Sequence, residues 1–86
     1  MPILFGNVFQ QITGGQIPCM DFTVHCVNKP HLDPVFSVDP PNFMAVLARG
    51  SYEIKVTSLS TGGFQTQTAN LFSKTGGGAS LQFLLP

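Results

Sequence analysis

The sequence predicts a single all-β domain in which seven short antiparallel strands form a two-layer sandwich. Three observations carry that prediction. Glycine and proline break the chain at Gly14-Gly15, Pro30, Pro34, Pro40-Pro41, Gly50, Gly62-Gly63 and Gly76-Gly77-Gly78, leaving room for strands and almost none for helices. The segments between are rich in Val, Ile, Phe and Thr, which suit a pleated, half-buried surface. Several of them alternate apolar and polar residues, so one face meets a core and the other meets water.

In chain order, the first strand runs from Ile3 to Gln11 and ends in the uncharged pair Gln10-Gln11. The second, Phe22 to Asn28, sets Phe22, Val24 and Cys26 on one face. A short third strand, Val35 to Val38, lies between prolines, which suit an edge because they remove backbone donors. The fourth is Phe43 to Ala48. Alternation is clearest in the fifth, Tyr52 to Ser58, where Tyr52, Ile54 and Val56 oppose Glu53, Lys55 and Thr57. The sixth, Phe64 to Phe72, contains the polar run Gln65-Thr66-Gln67-Thr68, an edge able to accept another strand. After Gly76-Gly77-Gly78, read as a hairpin loop, the seventh strand from Ala79 to Leu85 directs Leu81, Phe83 and Leu85 one way. No internal repeat or second domain is visible.

A chain of 86 residues makes one domain with a thin core, burying about 60–65% of the surface its unfolded form exposes. Domains this small commonly gain stability from disulfides, a structural metal or oligomerisation. Cys19 and Cys26 are the only cysteines, and an extended chain sets them about 20 Å apart. That is too far for a disulfide, which requires Cα atoms within roughly 7 Å. Unpaired thiols favour a reducing compartment. Four Lys/Arg and four Asp/Glu make the chain 9% charged, against about 25% in an average soluble domain. So few cations exclude nucleic acid as a partner, because phosphate binding requires several to displace counterions. An uncharged surface also has little electrostatic protection against self-association.

The longest apolar run, Phe43 to Ala48, is far short of the roughly 20 residues that span a bilayer. No membrane partner is expected. The N-terminal Met1-Pro2-Ile3-Leu4-Phe5-Gly6-Asn7-Val8 lacks the basic region and cleavage site of a signal peptide. The location is unknown at this stage: the cytoplasm, a virion and a leader removed from the chain all fit.

The order of these segments resembles the transthyretin-like, carboxypeptidase-regulatory-like family of small immunoglobulin-type sandwiches. Phe5-Gly6-Asn7-Val8 is similar to that family's first strand, and Gly14-Gly15-Gln16-Ile17-Pro18 to the turn leading into a strand like Phe22-Thr23-Val24. Gly50-Ser51-Tyr52-Glu53-Ile54-Lys55-Val56 looks like its glycine-tyrosine strand opening. Gly63-Phe64-Gln65-Thr66-Gln67-Thr68 and Leu81-Gln82-Phe83-Leu84-Leu85 resemble its last two strands. Two places depart from the pattern: Cys19 stands where a glycine is common, and Asp33 to Asn42 replaces a regular hairpin. An enzymatic branch of the wider fold ends in tyrosine-arginine-glycine-serine, whereas this chain ends Gln82-Phe83-Leu84-Leu85-Pro86. The resemblance therefore implies a non-catalytic accessory or interaction domain, without choosing its partner.

His25, Cys26, His31 and Asp33 form the one local cluster with metal-ligand chemistry. Adjacent strand residues point to opposite faces, so His25 and Cys26 should diverge, and we expect a core thiol beside two ordinary histidines. A Cys–His nucleophilic pair would require a thiol meeting a base in space, which spacing does not indicate. Asp21, Asp33, Asp39 and Glu53 are scattered rather than paired for acid–base work. Gly76-Gly77-Gly78 follows Lys74 but precedes a strand, so the helix N-terminus of a phosphate cradle is missing. Tyr52, the one aromatic with a polar handle for sugar stacking, falls on the apolar face of its strand and is expected in the core.

The segment from Leu32 to Met44 is either an edge strand with a protective loop or an arm reaching a neighbour. Leu32, Val35, Phe36, Phe43 and Met44 are the candidate interface residues, because aromatics and methionine are enriched at interface cores. The alternative is that they fill this domain's own core. The expected function is a non-catalytic structural or interaction module without cofactor or metal. Its partner would be protein, either its own copies in a homo-oligomer or the lattice of a larger assembly such as a phage virion, as a decoration, neck or tail accessory. The competing reading is a small-ligand or carbohydrate-binding sandwich using loops at one end.

Overall fold

Alternating side chains bury one face of each long strand, and the computed structural model, which describes residues 2–72 and 78–86, brings those faces together. Among the described residues there are eight strands: β1 (Ile3–Ile12), β2 (Gly15–Pro18), β3 (Phe22–Cys26), β4 (Ser37–Asp39), β5 (Asn42–Val46), β6 (Gly50–Ser58), β7 (Phe64–Leu71) and β8 (Ala79–Leu85). A 3-10 helix, η1 (Pro30–Val35), connects β3 to β4. The strand beyond the seven expected is β2, a fully exposed four-residue partner that hairpins onto the end of β1. Gly14 makes this turn possible by taking φ +84, the left-handed region that side chains resist.

Two sheets result. The first contains β8, β1, β5, β4 and β2, and the second is β3-β6-β7. One edge of β1 is shared: its first half pairs with β5 and its last residues pair with β2. The change occurs at Val8, whose N–H donates to the Pro41 carbonyl at 2.8 Å while its carbonyl accepts from Cys19 N–H at 2.9 Å. The other edge of β1 pairs with β8 in parallel, Leu4 opposite Ala79 through Gln10 opposite Leu85. This pair corrects the expectation of a wholly antiparallel sandwich; all other pairs are antiparallel.

The core lies between the sheets. Leu4, Val8, Phe43, Ala45, Phe83 and Leu85 enter it from the first sheet, and Phe22, Val24, Cys26, Tyr52, Ile54, Val56, Ala69 and Leu71 from the second. Phe43 is its hub, with ring centroids 6.3 Å from Phe22, 6.0 Å from Phe36 and 5.9 Å from Phe83. Tilted aromatic contacts of this kind add about 0.5–1.5 kcal/mol each beyond the area they bury.

Both lateral openings of the sandwich are closed by polar side chains reaching backbone. On one side, η1 lies along the free edge of β3, and Asp33 Oδ1 accepts the Cys26 N–H at 2.8 Å. The chain then crosses to the other sheet as β4, which pairs with β5 through a turn containing a cis Pro40–Pro41 peptide. Within Leu32 to Met44, β4 is thus an edge strand and η1 its protecting loop, while Asn42 to Met44 belong to the inner strand β5. The strand expected at Val35 to Val38 is shifted, because Pro30 and Pro34 sit in the 3-10 helix and extended pairing begins only at Ser37. On the other side, Gln67 Nε2 donates to the Gln82 carbonyl and Leu84 N–H donates to Gln65 Oε1 at 3.1 Å, joining β7 to β8. Gln65 and Gln67, expected on an open edge, are therefore used internally; Thr66 and Thr68 face solvent.

Candidate interaction surface

The outward faces of the two sheets differ in chemistry. Cross-strand partners share a face, so the registers give the outer surface of the first sheet directly. Ile3 lies beside Val46; Phe5 lies between Met44 and Ser80; Asn7 between Asn42 and Gln82; and Phe9 between Pro18 and Leu84. Phe5 is 48% exposed, Val46 45%, Leu84 40% and Met44 37%. Asp39, at the margin beside Asn42, is the one charged residue in the five strands of this sheet. The second sheet turns His25, Glu53 and Lys55 outward among threonines and serine, which is an ordinary solvated face. Phe64, at the start of β7, is 56% exposed, with Lys55 Nζ 4.3 Å from its ring centre.

This contrast comes from how β1 is used. Ile3-Leu4-Phe5 and Val8-Phe9 are apolar on both faces, as is usual for a strand buried on both sides. Leu4 and Val8 face the core, while Phe5 faces solvent. Monomeric proteins rarely leave a contiguous apolar surface of more than a few hundred Å² uncovered, and larger ones mark contact sites.

Scans against family models, characterised proteins and solved structures find no match. The reading of function therefore rests on geometry.

The five residues singled out from the sequence separate. Phe43 is 1% exposed and belongs to the core. Leu32 and Phe36 are half-buried and pack against that core, so their apolar area is largely used within the domain. Val35 is exposed, and Met44 is exposed on the outer face of the first sheet, beside Phe5. Sequence inspection missed Phe5, Phe9, Val46 and Leu84. The available signal was the near absence of charge from β1, β2, β5 and β8 together.

The His25, Cys26, His31, Asp33 cluster is divided by the pleat. His25 Nδ1 meets Asp33 Oδ2 at 2.8 Å on the outside. The Cys26 thiol points into the core, donating to Asn28 Oδ1 at 3.3 Å, and burial pushes its pKa up. No group of three potential metal ligands exists among the described residues. Asp33 is held below the usual carboxylate range, first by its hydrogen bond with His25 and then by the Cys26 N–H. It ties η1 to β3 without forming a cradle. Both cysteines are free and buried.

Tyr52 is 3% exposed, its hydroxyl donates to the Ala48 carbonyl, and Lys29 Nζ stands 4.1 Å from its ring centre. Burial pushes its hydroxyl pKa up, so it remains a neutral donor. An open hollow of about 370 Å³ lies above it, lined by Lys29, His31, Leu32, Val35, Val46 and neighbours. A second hollow, about 190 Å³, opens beside Phe5, Met44, Asn42 and Asp39 on the outer face of the first sheet. Gly76 and Gly77, with Lys74, lie outside the described residues. Gln10 donates to the Pro86 carbonyl at 2.7 Å, leaving Gln11 as the exposed member of its pair.

Proposed function

We propose that this protein is a non-catalytic structural or interaction module, a self-associating or lattice-docking subunit of a larger assembly such as a virion. In this reading it is an immunoglobulin-like sandwich related to the transthyretin-like family. The observation that carries the function is the outer face of the first sheet, where Phe5, Met44, Val46 and Leu84 stand exposed in strands nearly free of charge. Burying that face against protein recovers roughly 25 cal/mol for each Å² of apolar surface removed from water. Two sheets around one core support the sandwich part of this reading.

A second reading, a small-ligand module, has one observation in its favour: the hollow above Tyr52, where Lys29 and His31 stand over apolar walls. Light scattering coupled to size exclusion, across a concentration series, tests the leading reading. Growth of the mass above one chain is expected. A single-chain mass at every concentration would overturn self-association and move attention to the hollow.

A further inference from the structure

We infer that the outer face of the first sheet packs against the same face of a second copy, as a two-fold dimer centred on Asn7. This rests on the self-association proposed above and names its surface and geometry. The registers order the face in rows across the strands. An apolar row, Met44–Phe5, lies on one side of a polar row in which three amides, Asn42–Asn7–Gln82, follow Asp39 at the outer end, and a second apolar row, Pro18–Phe9–Leu84, lies on the other.

A two-fold axis in the plane of the face, running along β1 through Asn7, lays Asn42 against Gln82 of the copy, Asn7 against Asn7, and each apolar row on itself. Carboxamides both donate and accept, so this central row is complementary to itself. A row of lysines or glutamates would repel its own copy; the one charge here, Asp39 at the end of the row, is set away from its own copy when the axis runs along β1. The match to a second copy follows from that self-complementarity.

Edge-to-edge addition is the competing way to join two sandwiches; β7 is the one long edge, with its Gln65 and Gln67 side chains turned to β8, and the others are poorly suited to it. The outer edge of β8 is occupied by Gln65 and Gln67, and the free edge of β3 by Asp33. The remaining edges of the first sheet, β2 and β4, are four and three residues long, and short edge strands pair weakly. The strands cover roughly 450 Å² of flat sheet. Side-chain relief raises this toward about 600 Å² per partner, the low end for specific association. The dimer is therefore modest and concentration-dependent.

The test uses mass against concentration for the wild type, Asn7→Lys, Asn7→Asp, Phe5→Lys and, on the opposite sheet, Thr66→Lys. The wild type and Thr66→Lys should approach twice the 9.2 kDa chain mass. Asn7→Lys, Asn7→Asp and Phe5→Lys should each weaken association roughly 100-fold or more, because like charges then face each other in a drying contact. An equimolar mixture of Asn7→Lys and Asn7→Asp should regain the dimer. Phe5 is half exposed, so its variant keeps the fold, checked by circular dichroism. A wild-type oligomer unaffected by Asn7→Lys and Phe5→Lys would overturn this face while leaving self-association standing. Monomeric Asn7 variants that fail to recombine would overturn the two-fold register. A wild type that stays monomeric would overturn both readings.

Discussion

Replacing Gly6 with alanine should destabilise the protein, although the change adds only one methyl group. Gly6 lies on the inner face of β1, and a Cβ built there falls far inside contact distance of Phe43 Cε1 and Cζ, with Cδ1 at 2.7 Å. The obstacle is the hub of the aromatic cluster, not the end of a flexible side chain. Phe22, Phe36 and Phe83 surround that ring at centroid distances of 5.9 to 6.3 Å, so it cannot step aside without moving them. Overpacking of this kind costs about 1–3 kcal/mol, and the lack of free space puts Gly6→Ala in the upper half. Alanine is intrinsically preferred to glycine within a strand by about 0.5–1 kcal/mol, which offsets part of the cost. The net expectation is a loss of about 1–2 kcal/mol, a shift of roughly 1 M in the urea midpoint for a domain of this size. Gly15→Ala is the control, since nothing lies within 4 Å of a Cβ there and its φ is not positive. Urea unfolding at one fixed protein concentration, followed by circular dichroism, compares the two variants. Relief of the loss by Phe43→Leu in the Gly6→Ala background would locate the clash. A Gly6→Ala protein as stable as Gly15→Ala would refute the packing account of this strand crossing.

Two further outcomes follow from the closures at the sides of the sandwich. Asp33→Ala should cost about 1 kcal/mol, since it removes the acceptor for Cys26 N–H and the partner of His25, discounted for partial exposure. Because the folded pKa of Asp33 is depressed from its ordinary 3.8, that stabilisation is present above the unfolded value and lost as pH falls through the lower folded value. The stability gap between wild type and Asp33→Ala should therefore be wider at about pH 5 than at about pH 2.5, and a gap that widens in acid would contradict the assignment. Gln65→Ala and Gln67→Ala should each cost about 0.5–1.5 kcal/mol by removing amide bonds to β8. Hydrogen exchange at the Leu84 amide should accelerate in Gln65→Ala, whose Oε1 accepts that proton; unchanged protection would refute the bridge.

Much of the architecture is legible along the chain. Tyr52-Glu53-Ile54-Lys55-Val56 declares a strand with one wet face because residues two apart share a side of any strand. Ile54 and Val56 are accordingly buried, and Glu53 is exposed. Leu81, Phe83 and Leu85 are inward for the same reason. The divergence of His25 and Cys26 follows from that two-residue period, which is local and needs no knowledge of the fold.

Other features depend on partners distant in sequence. Whether Phe43 is an interface anchor or a core hub is decided by Phe22, Phe36 and Phe83, which arrive from different segments. The polar run Gln65-Thr66-Gln67-Thr68 reads as an open edge until β8 comes alongside and takes alternate side chains as hydrogen-bond partners. The strand at Gly15–Pro18 has no hydrophobic pattern of its own and exists because β1 extends past β5 and offers a free edge. The uncharged outer surface exists only as a sum over β1, β5 and β8, whose order and register place Phe5, Met44 and Leu84 on one face. Local periodicity determined which residues alternate; pairing between distant strands decided which of the alternating faces water still touches.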